Sequence, residues 1–587
     1  MNRPTPAIVT QLAARPLPRL LLLLLALCYV LPGLLGRQPW RDTELASFGA
    51  MLDMARHGDH WLHPQVLGQA AAVKAWLPYW LGALSIKTFP FLPADLAARL
   101  PFGALLLLTL AGTWYAMFHL ARTPAAQPVS FAFGGEARPT DYARAMADTA
   151  LLALVASLGL AQLSHQSTPD MAQLACSALL LYGCSRLASA HAKRIWLSAL
   201  VWWLGSAGLA LSGAPWLGLM LGLVWLIWLA SSGEMKHHGA ERWWVWLLCG
   251  TGTLLSALLA WQLELPRRVE VWAHLDQWLH WPSWRAYGRL LLWFTWPAGL
   301  LSLWTLWRWR QRLSSAHVLL PLWFVLAGMG SSWLMEADDR ALLMALPALA
   351  CLAAFALPTL SRSVTALLDW FALLFFSTCG LVIWVYWIAM QTGVPAKPAA
   401  NVVRLAPGFE HAFAPGLFAV AALVTVSWLG LLRWRIGHHR PALWKSLVLS
   451  AAGSTLCWAL LMTLWLPLLN FGLGLEPIAR RIAAVTPAGS CVLVHGLDQG
   501  QITALQYHGG LDVVHAGRDK AQACQRLVVN PKARATLPRV ADMDHWRRLS
   551  SIPRLRENRE HLLVYARKDS VSSEGPDPAG RQDQAER

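Results

Sequence analysis

The sequence predicts an all-α, polytopic membrane protein with about thirteen spanning helices and a small C-terminal α/β soluble domain. Three observations carry that reading. The 587 residues are 56% hydrophobic and 14% charged, whereas soluble domains carry about 25% charged residues. Apolar runs of spanning length recur, with the charges gathered between them. After about residue 470 the pattern shifts to short apolar segments separated by polar ones. The 35 Trp residues suit the same class, because indole rings favour the boundary between lipid and water.

The apolar runs place spans at 17–36, 95–121, 146–163, 170–188, 194–212, 214–232, 243–263, 287–306, 317–334, 340–358, 364–389, 413–432 and 443–468. Arg15 and Arg19 precede the first run and no small-residue cleavage site follows it, so it reads as an uncleaved anchor with a cytoplasmic N-terminus. The apolar stretch 76–91 contains Pro78 and Lys87 and ends at Pro90. It is expected to lie at the interface and not to span. With that choice every cytoplasmic connection holds a basic residue, from Arg122, Arg138 and Arg144 to Arg433, Arg435, Arg440 and Lys445. The opposite loops hold Asp42, Glu44, Asp170, Glu336, Asp338 and Asp339. The formal charge of +17 is thereby assigned to cytoplasmic loops, and no nucleic-acid partner is expected. The pair Arg267 and Arg268 is the one contrary loop.

The domains expected are 1–470, spanning, with a first outer loop at 37–94; 471–568, periplasmic and α/β; and a disordered polar tail at 569–587. Cys491 to Val494, Arg526 to Val529 and His561 to Tyr565 read as buried strands, and Ile502 to Tyr507 as a helix. Cys491 and Cys524 are the two cysteines of this region. An oxidising periplasm would allow a disulfide, and two buried thiols fit equally well. The other seven cysteines lie in or beside apolar runs, without metal-type spacing.

Chemistry-bearing residues gather in the loops assigned to the outer side. Asp42 and Glu44 stand two residues apart just beyond the first span. The pair suits a general base, a metal ligand, or a helix start with Asp42 as N-cap. Gly58-Asp59-His60-Trp61, Pro64, Gly68 and Lys74 follow, then Tyr79-Trp80 and Ala98-Arg99-Leu100-Pro101. Lys74 suits a lipid phosphate or ordinary snorkelling to head groups. Ser167-Thr168-Pro169-Asp170 opens the fourth span, where Thr168 as cap and Asp170 on the helix dipole are also reasonable. Arg340 follows Asp338 and Asp339, to either of which it could pair.

In this order and spacing the chain resembles the GT-C glycosyltransferases that use lipid-linked sugars, above all the ArnT-like aminoarabinose transferases and their protein-O-mannosyltransferase relatives. Glu44, Gly58, Pro64, Gly68, Lys74, Tyr79, Trp80 and Ala98 to Pro101 fall at the family's intervals. Arg340, Leu342, Leu343 and Pro347 are similar to its Arg-Tyr-Leu-Leu-Pro-x-x-Pro segment. Two departures stand out. The family's Asp-Glu pair is Thr43-Glu44, with Asp42 one place earlier, and its Glu-Lys-Pro-Pro is Val73-Lys74-Ala75-Trp76.

The resemblance implies a multi-pass enzyme of a bacterial inner membrane. It would move a pentose or hexose from a polyprenyl-phosphate donor to a lipid A-like or other periplasmic acceptor, with inversion. Glu44, Asp42 and Asp170 would be catalytic, Lys74 and Arg340 would hold the carrier phosphate, and Arg267 and Arg268, near His274 and His280, would bind an acidic acceptor. No protein metal ligands are assigned; the sequence names no cofactor and leaves the need for a divalent metal open. Two other classes remain open: a transporter or flippase of lipid-linked sugars, and a non-catalytic envelope assembly factor. The sequence shows no paired interrupted helices of the kind transporters carry.

Overall fold

The computed structural model describes residues 5–71, 75–189, 195–232, 242–262, 281–334, 338–437, 442–516, 524–554 and 557–568. It divides into two units. One comprises Met1–Arg37, Val73–Pro398 and Ala412–Leu466, and the other Gln38–Ala72, Ala399–His411 and Pro467–Arg587.

The first unit is helical throughout its described elements. Each stretch expected to span contains helix. Among the described residues five helices are long and apolar enough to cross a membrane, six if one bent pair counts as a single span, so length and apolarity there do not carry the full expected count of thirteen. The chain is a multi-pass membrane protein. Its most lipid-like surface lies on helices Arg362–Thr392 and Pro415–Gly437, where Leu367, Trp370, Leu374, Leu381, Leu423, Val426 and Leu429 stand exposed. A water-facing surface does not concentrate such side chains in one band.

At the centre lies helix Pro169–Leu187, buried along nearly its whole length. It packs against Ala94–Ala121 and Ile195–Leu211 through small residues. A Cβ on Gly183 would come within 2.6 Å of the Trp202 backbone, and one on Gly205 within 2.5 Å of that of Leu180. Apolar attraction between helices is weak in lipid, so backbones must approach closely to gain packing.

Several expected spans are broken. The stretch 287–306 forms two helices, Trp281–Phe294 and Ala298–Arg308, whose axes turn by 99°. Pro297 at the break cannot donate a helical hydrogen bond. The stretch 340–358 divides into Asp339–Leu343 and Leu346–Ala356 just before Pro347. Interruptions are therefore present that apolar periodicity alone did not reveal. The expected interfacial stretch forms helix Leu77–Thr88, whose 12 residues extend about 18 Å, too short to cross about 30 Å of hydrocarbon.

The first helix covers Arg19–Val30 and ends at Pro32 and Gly33. Gly33 has φ of +86°, a conformation open to glycine at little cost. Two buried arginines take up the carbonyls there. Arg37 donates through Nε to Gly33 and through Nη2 to the His165 carbonyl, and Arg99 donates through Nη1 to Leu34. Arg99, singled out as part of a motif, is thus a structural tie.

The second unit contains a five-stranded sheet. Strands β3 (Val492–His495), β4 (Val513–His515), β5 (Arg526–Val529), β6 (Trp546–Arg554) and β7 (Glu557–Arg567) run in the order β4-β3-β5-β7-β6. β3 is parallel to β4 and β5, while β7 is antiparallel to β5 and β6. The three expected strands are present. β4, only three residues long, and the polar edge strand β6 lacked an apolar run to mark them. The expected helix begins earlier, at Gln499, because Asp498 and Gln501 close a capping box.

This unit also takes in Gln38–Ala72, a stretch that the sequence places in the first outer loop of the spanning domain. Helix Asp42–Arg56 packs on Gln499–Tyr507. A Cβ on Gly500 would lie 2.3 Å from the Asp42 carbonyl oxygen, and one on Gly49 would lie 2.1 Å from Thr503 Oγ1. Beyond it a hairpin pairs β1 (Gln65–Val66) with β2 (Gln69–Ala70). Its turn puts Leu67 and Gly68 at φ of +52° and +76°, the left-handed pair of a two-residue hairpin turn.

Cys491 and Cys524 form a disulfide that spans 33 residues. Closing a loop of that length removes about 3–4 kcal/mol of unfolded-state freedom in the chain-entropy view. Reducing the purified protein, or replacing Cys491 by Ser, is expected to lower the unfolding temperature of this unit in calorimetry. Alkylation before and after reduction should release two thiols.

Candidate active site

The second unit carries the early acids. Helix Asp42–Arg56 starts with Arg41 in an extended conformation at the N-cap, so Asp42 is the first helical residue and not the cap expected. A one-residue shift at a helix end is small. Both acids lie in the first turn, where the exposed N–H groups favour negative charge. Glu44 is fully buried, and its Oε2 accepts the Trp40 backbone N–H at 3.2 Å. Asp42 is half-buried. Asn470 holds the approach to this helix, accepting from Trp40 Nε1 at 2.8 Å and from the Gln38 backbone at 3.1 Å. Gln38 in turn donates through Nε2 to Glu476.

The first unit carries the later charges. Helix Pro169–Leu187 has Pro169 at its first position and Asp170 in its first turn. Thr168 occupies the N-cap, but its side chain makes no capping bond. Asp170 Oδ2 lies 3.0 Å from Nη1 of Arg340, and Nη2 of the same guanidinium donates to Gln166 Oε1 at 3.0 Å. Two residues selected from sequence, 170 positions apart, therefore meet directly. Arg340 does not pair with Asp338 or Asp339 as local spacing suggested. Asp338 instead caps the short helix Asp339–Leu343 by accepting the Arg340 backbone N–H at 3.0 Å. Ser332 holds the Asp338 carbonyl at 2.7 Å. The cap thus fixes the backbone that carries the guanidinium.

Gln166 was not foreseen. It sits in the run His165-Gln166-Ser167-Thr168, all four buried. Its Nε2 is buried and has no acceptor among the described residues. A buried amide donor without an acceptor is costly, and an oxygen of a bound ligand would satisfy it. In sequence Gln166 stands one place ahead of the Ser167-Thr168-Pro169-Asp170 helix start, and nothing in the spacing marks it out. Lys74, Arg267, Arg268, His274 and His280 lie outside the described residues.

Burial pushes the Asp338 carboxyl above its ordinary value of 3.8. The N–H of Arg340 opposes the shift, and the neighbouring Asp170 and Asp339 carboxylates add to it.

No protein-family model matches the chain, and no curated protein does. Solved structures do. The crystal structure of ArnT from Cupriavidus metallidurans bound to undecaprenyl phosphate superposes with a TM-score of 0.59 at 17% identity, covering 93% of this chain and 97% of that one. The chain has the ArnT fold. The apo form of ArnT gives a TM-score of 0.57 at 17% identity, over 95% of this chain and 99% of that one. The archaeal oligosaccharyltransferase AglB from Archaeoglobus fulgidus, in complex with an inhibitory peptide and a dolichol-phosphate, gives only 0.33 at 11% identity, over 86% of this chain and 69% of that one. That value is too low to bear on the fold. The likeness to ArnT spans both units and agrees with the GT-C resemblance in the motifs.

A carboxyl with a raised pKa favours the folded state while protonated, and that contribution fades as pH rises through the folded-state value. The Asp338→Asn protein keeps the cap acceptor and cannot ionise. Its unfolding temperature relative to wild type is therefore expected to climb as pH rises above the ordinary carboxyl value of 3.8, as thermal scans across a pH series would show.

Proposed function

We propose that this chain is a glycosyltransferase that moves a sugar from a polyprenyl-phosphate donor to a lipid A-like or other periplasmic acceptor at a bacterial inner membrane. The observation that carries the reading is the Asp170–Arg340 contact, with Gln166 beside it, in a chain with the ArnT fold. A guanidinium suits a phosphate monoanion, and the donor of Gln166 suits an additional oxygen.

The chemistry is a single displacement. An acceptor oxygen bonds to the anomeric carbon from the face opposite the phosphate. The bond from that carbon to the phosphate oxygen breaks, and its electron pair leaves with the polyprenyl phosphate. If the acceptor is a hydroxyl, its proton passes to a carboxylate of the Asp42 helix. Half-buried Asp42 is the more accessible acid, while buried Glu44 secures the helix start. If the acceptor is a phosphate, the carboxylate orients it. Arg340, with Lys74 on sequence grounds, offsets the charge left on the carrier, and Asp170 orients Arg340 or a sugar hydroxyl. Arg267 and Arg268 are assigned to an acidic acceptor by charge alone.

Purified protein incubated with radiolabelled polyprenyl-phosphate sugars, with and without lipid A, is expected to label one acceptor. Asp42→Asn should lower the rate by about a hundredfold to ten-thousandfold at an unchanged unfolding temperature. Glu44→Ala should also destabilise the protein, by about 1–3 kcal/mol for the lost buried acceptor. No labelled acceptor with any donor overturns the reading. A flippase would be indicated if Asp42→Asn protein moved donor across vesicles without transferring sugar.

A further inference from the structure

The segment after helix Asp42–Arg56 brings together three metal-ligating side chains that the proposed transfer does not use. Asp53 lies in the last turn of that helix, His57 is its C-cap, and His60 falls in the single turn Gly58–Trp61. The chain reverses there, so both imidazoles meet the same carboxylate. Nδ1 of His57 lies 3.1 Å from Asp53 Oδ1, and Nδ1 of His60 lies 2.5 Å from Asp53 Oδ2. One ligand atom from each residue fits within a 4.8 Å span.

Hydrogen bonds from two neutral rings to one carboxylate would also give this arrangement. Two features favour a cation. Asp59 Oδ2 lies 3.7 Å from the far nitrogen, Nε2, of His60, beyond hydrogen-bond reach but near enough to add negative potential beside a cation. The side chains are also graded in exposure, with Asp53 at 18%, His60 at 22% and His57 at 55%. An ion would be held from the protein side and reached from solvent.

We propose that Asp53, His57 and His60 form a binding site for a divalent transition-metal ion of the zinc class. Two imidazoles and a carboxylate suit zinc, cobalt or nickel better than magnesium or calcium, which prefer all-oxygen shells. Three protein ligands leave a coordination position for water or for an anionic oxygen. The site stands or falls independently of the transferase reading, because its test reads metal binding and not turnover.

The full chain, purified in detergent with a tag free of histidine and stripped with chelator, is titrated with Co²⁺ and followed by visible absorption. One equivalent is expected to bind and to be displaced by Zn²⁺. His57→Ala, His60→Ala and Asp53→Ala should each abolish the cobalt spectrum. Asp59→Asn should weaken binding by less than about tenfold, its carboxylate being 82% exposed and screened, and His63→Ala should leave it intact. On unaltered protein, bound Zn²⁺ should protect His57 and His60, but not His63, from diethylpyrocarbonate as read by mass spectrometry, which covers any variant that fails to fold. No stoichiometric Co²⁺, or equal modification of the three histidines with and without Zn²⁺, overturns the site.

Discussion

The pairing of Arg340 with Asp170 is the interaction that joins the two charged segments of the helical unit, Gln166–Asp170 and Asp338–Arg340. A guanidinium only 13% exposed cannot rest in an apolar surround without partners. Asp170 and Gln166 take two of its donor nitrogens, and Asp338 caps the backbone beneath it. Removing one partner of a fully buried pair costs about 3–5 kcal/mol. Here the penalty is smaller, since Asp170 keeps 27% of its side chain exposed. That residual exposure also lets a ligand reach the pair. A carboxylate and a guanidinium that satisfied each other in complete burial would be structure alone.

The second unit solves a related problem by packing. Its acids sit at the start of a helix whose position is fixed by glycines, Gly49 and Gly500, that allow another helix to approach closely. Glu44 folds back on Trp40, and Asn470 ties Trp40 and Gln38 to the C-terminal part of the chain. Residues more than 400 positions apart therefore define one helix start. Deleting the chain from Pro467 onward would leave the early acids without that support.

Class and element type were legible in the sequence because they rest on local regularities: apolar runs, charge between them, and apolar strands flanked by polar residues. Asp170 and Arg340 were selected from spacing, but their contact was not, because it depends on how helices far apart in sequence pack. Broken helices were missed since an apolar run keeps its composition across a proline such as Pro297. β6 was missed because its Arg and Ser residues hide an edge strand. The grouping of Gln38–Ala72 with the C-terminal sheet was hidden because nothing local in a forty-residue loop reports a partner hundreds of residues away. Gln166, Asp53 and His57 carry no spacing that singles them out in sequence, and His60 stands there only as part of the Gly58–Trp61 segment. A buried polar atom without an acceptor, and imidazoles converging on one carboxylate, are visible only in three dimensions.

The most direct test of the central claim is carrier binding at equilibrium, with no acceptor present. Undecaprenyl phosphate binding to Arg340→Gln and Asp338→Asn proteins would be compared with wild type by native mass spectrometry in detergent. If the paired guanidinium holds the carrier phosphate, affinity should drop at least about tenfold in Arg340→Gln, the loss of one charge-assisted contact, and change little in Asp338→Asn. Unchanged affinity in a folded Arg340→Gln protein would reduce the ion pair to a structural tie and contradict the account.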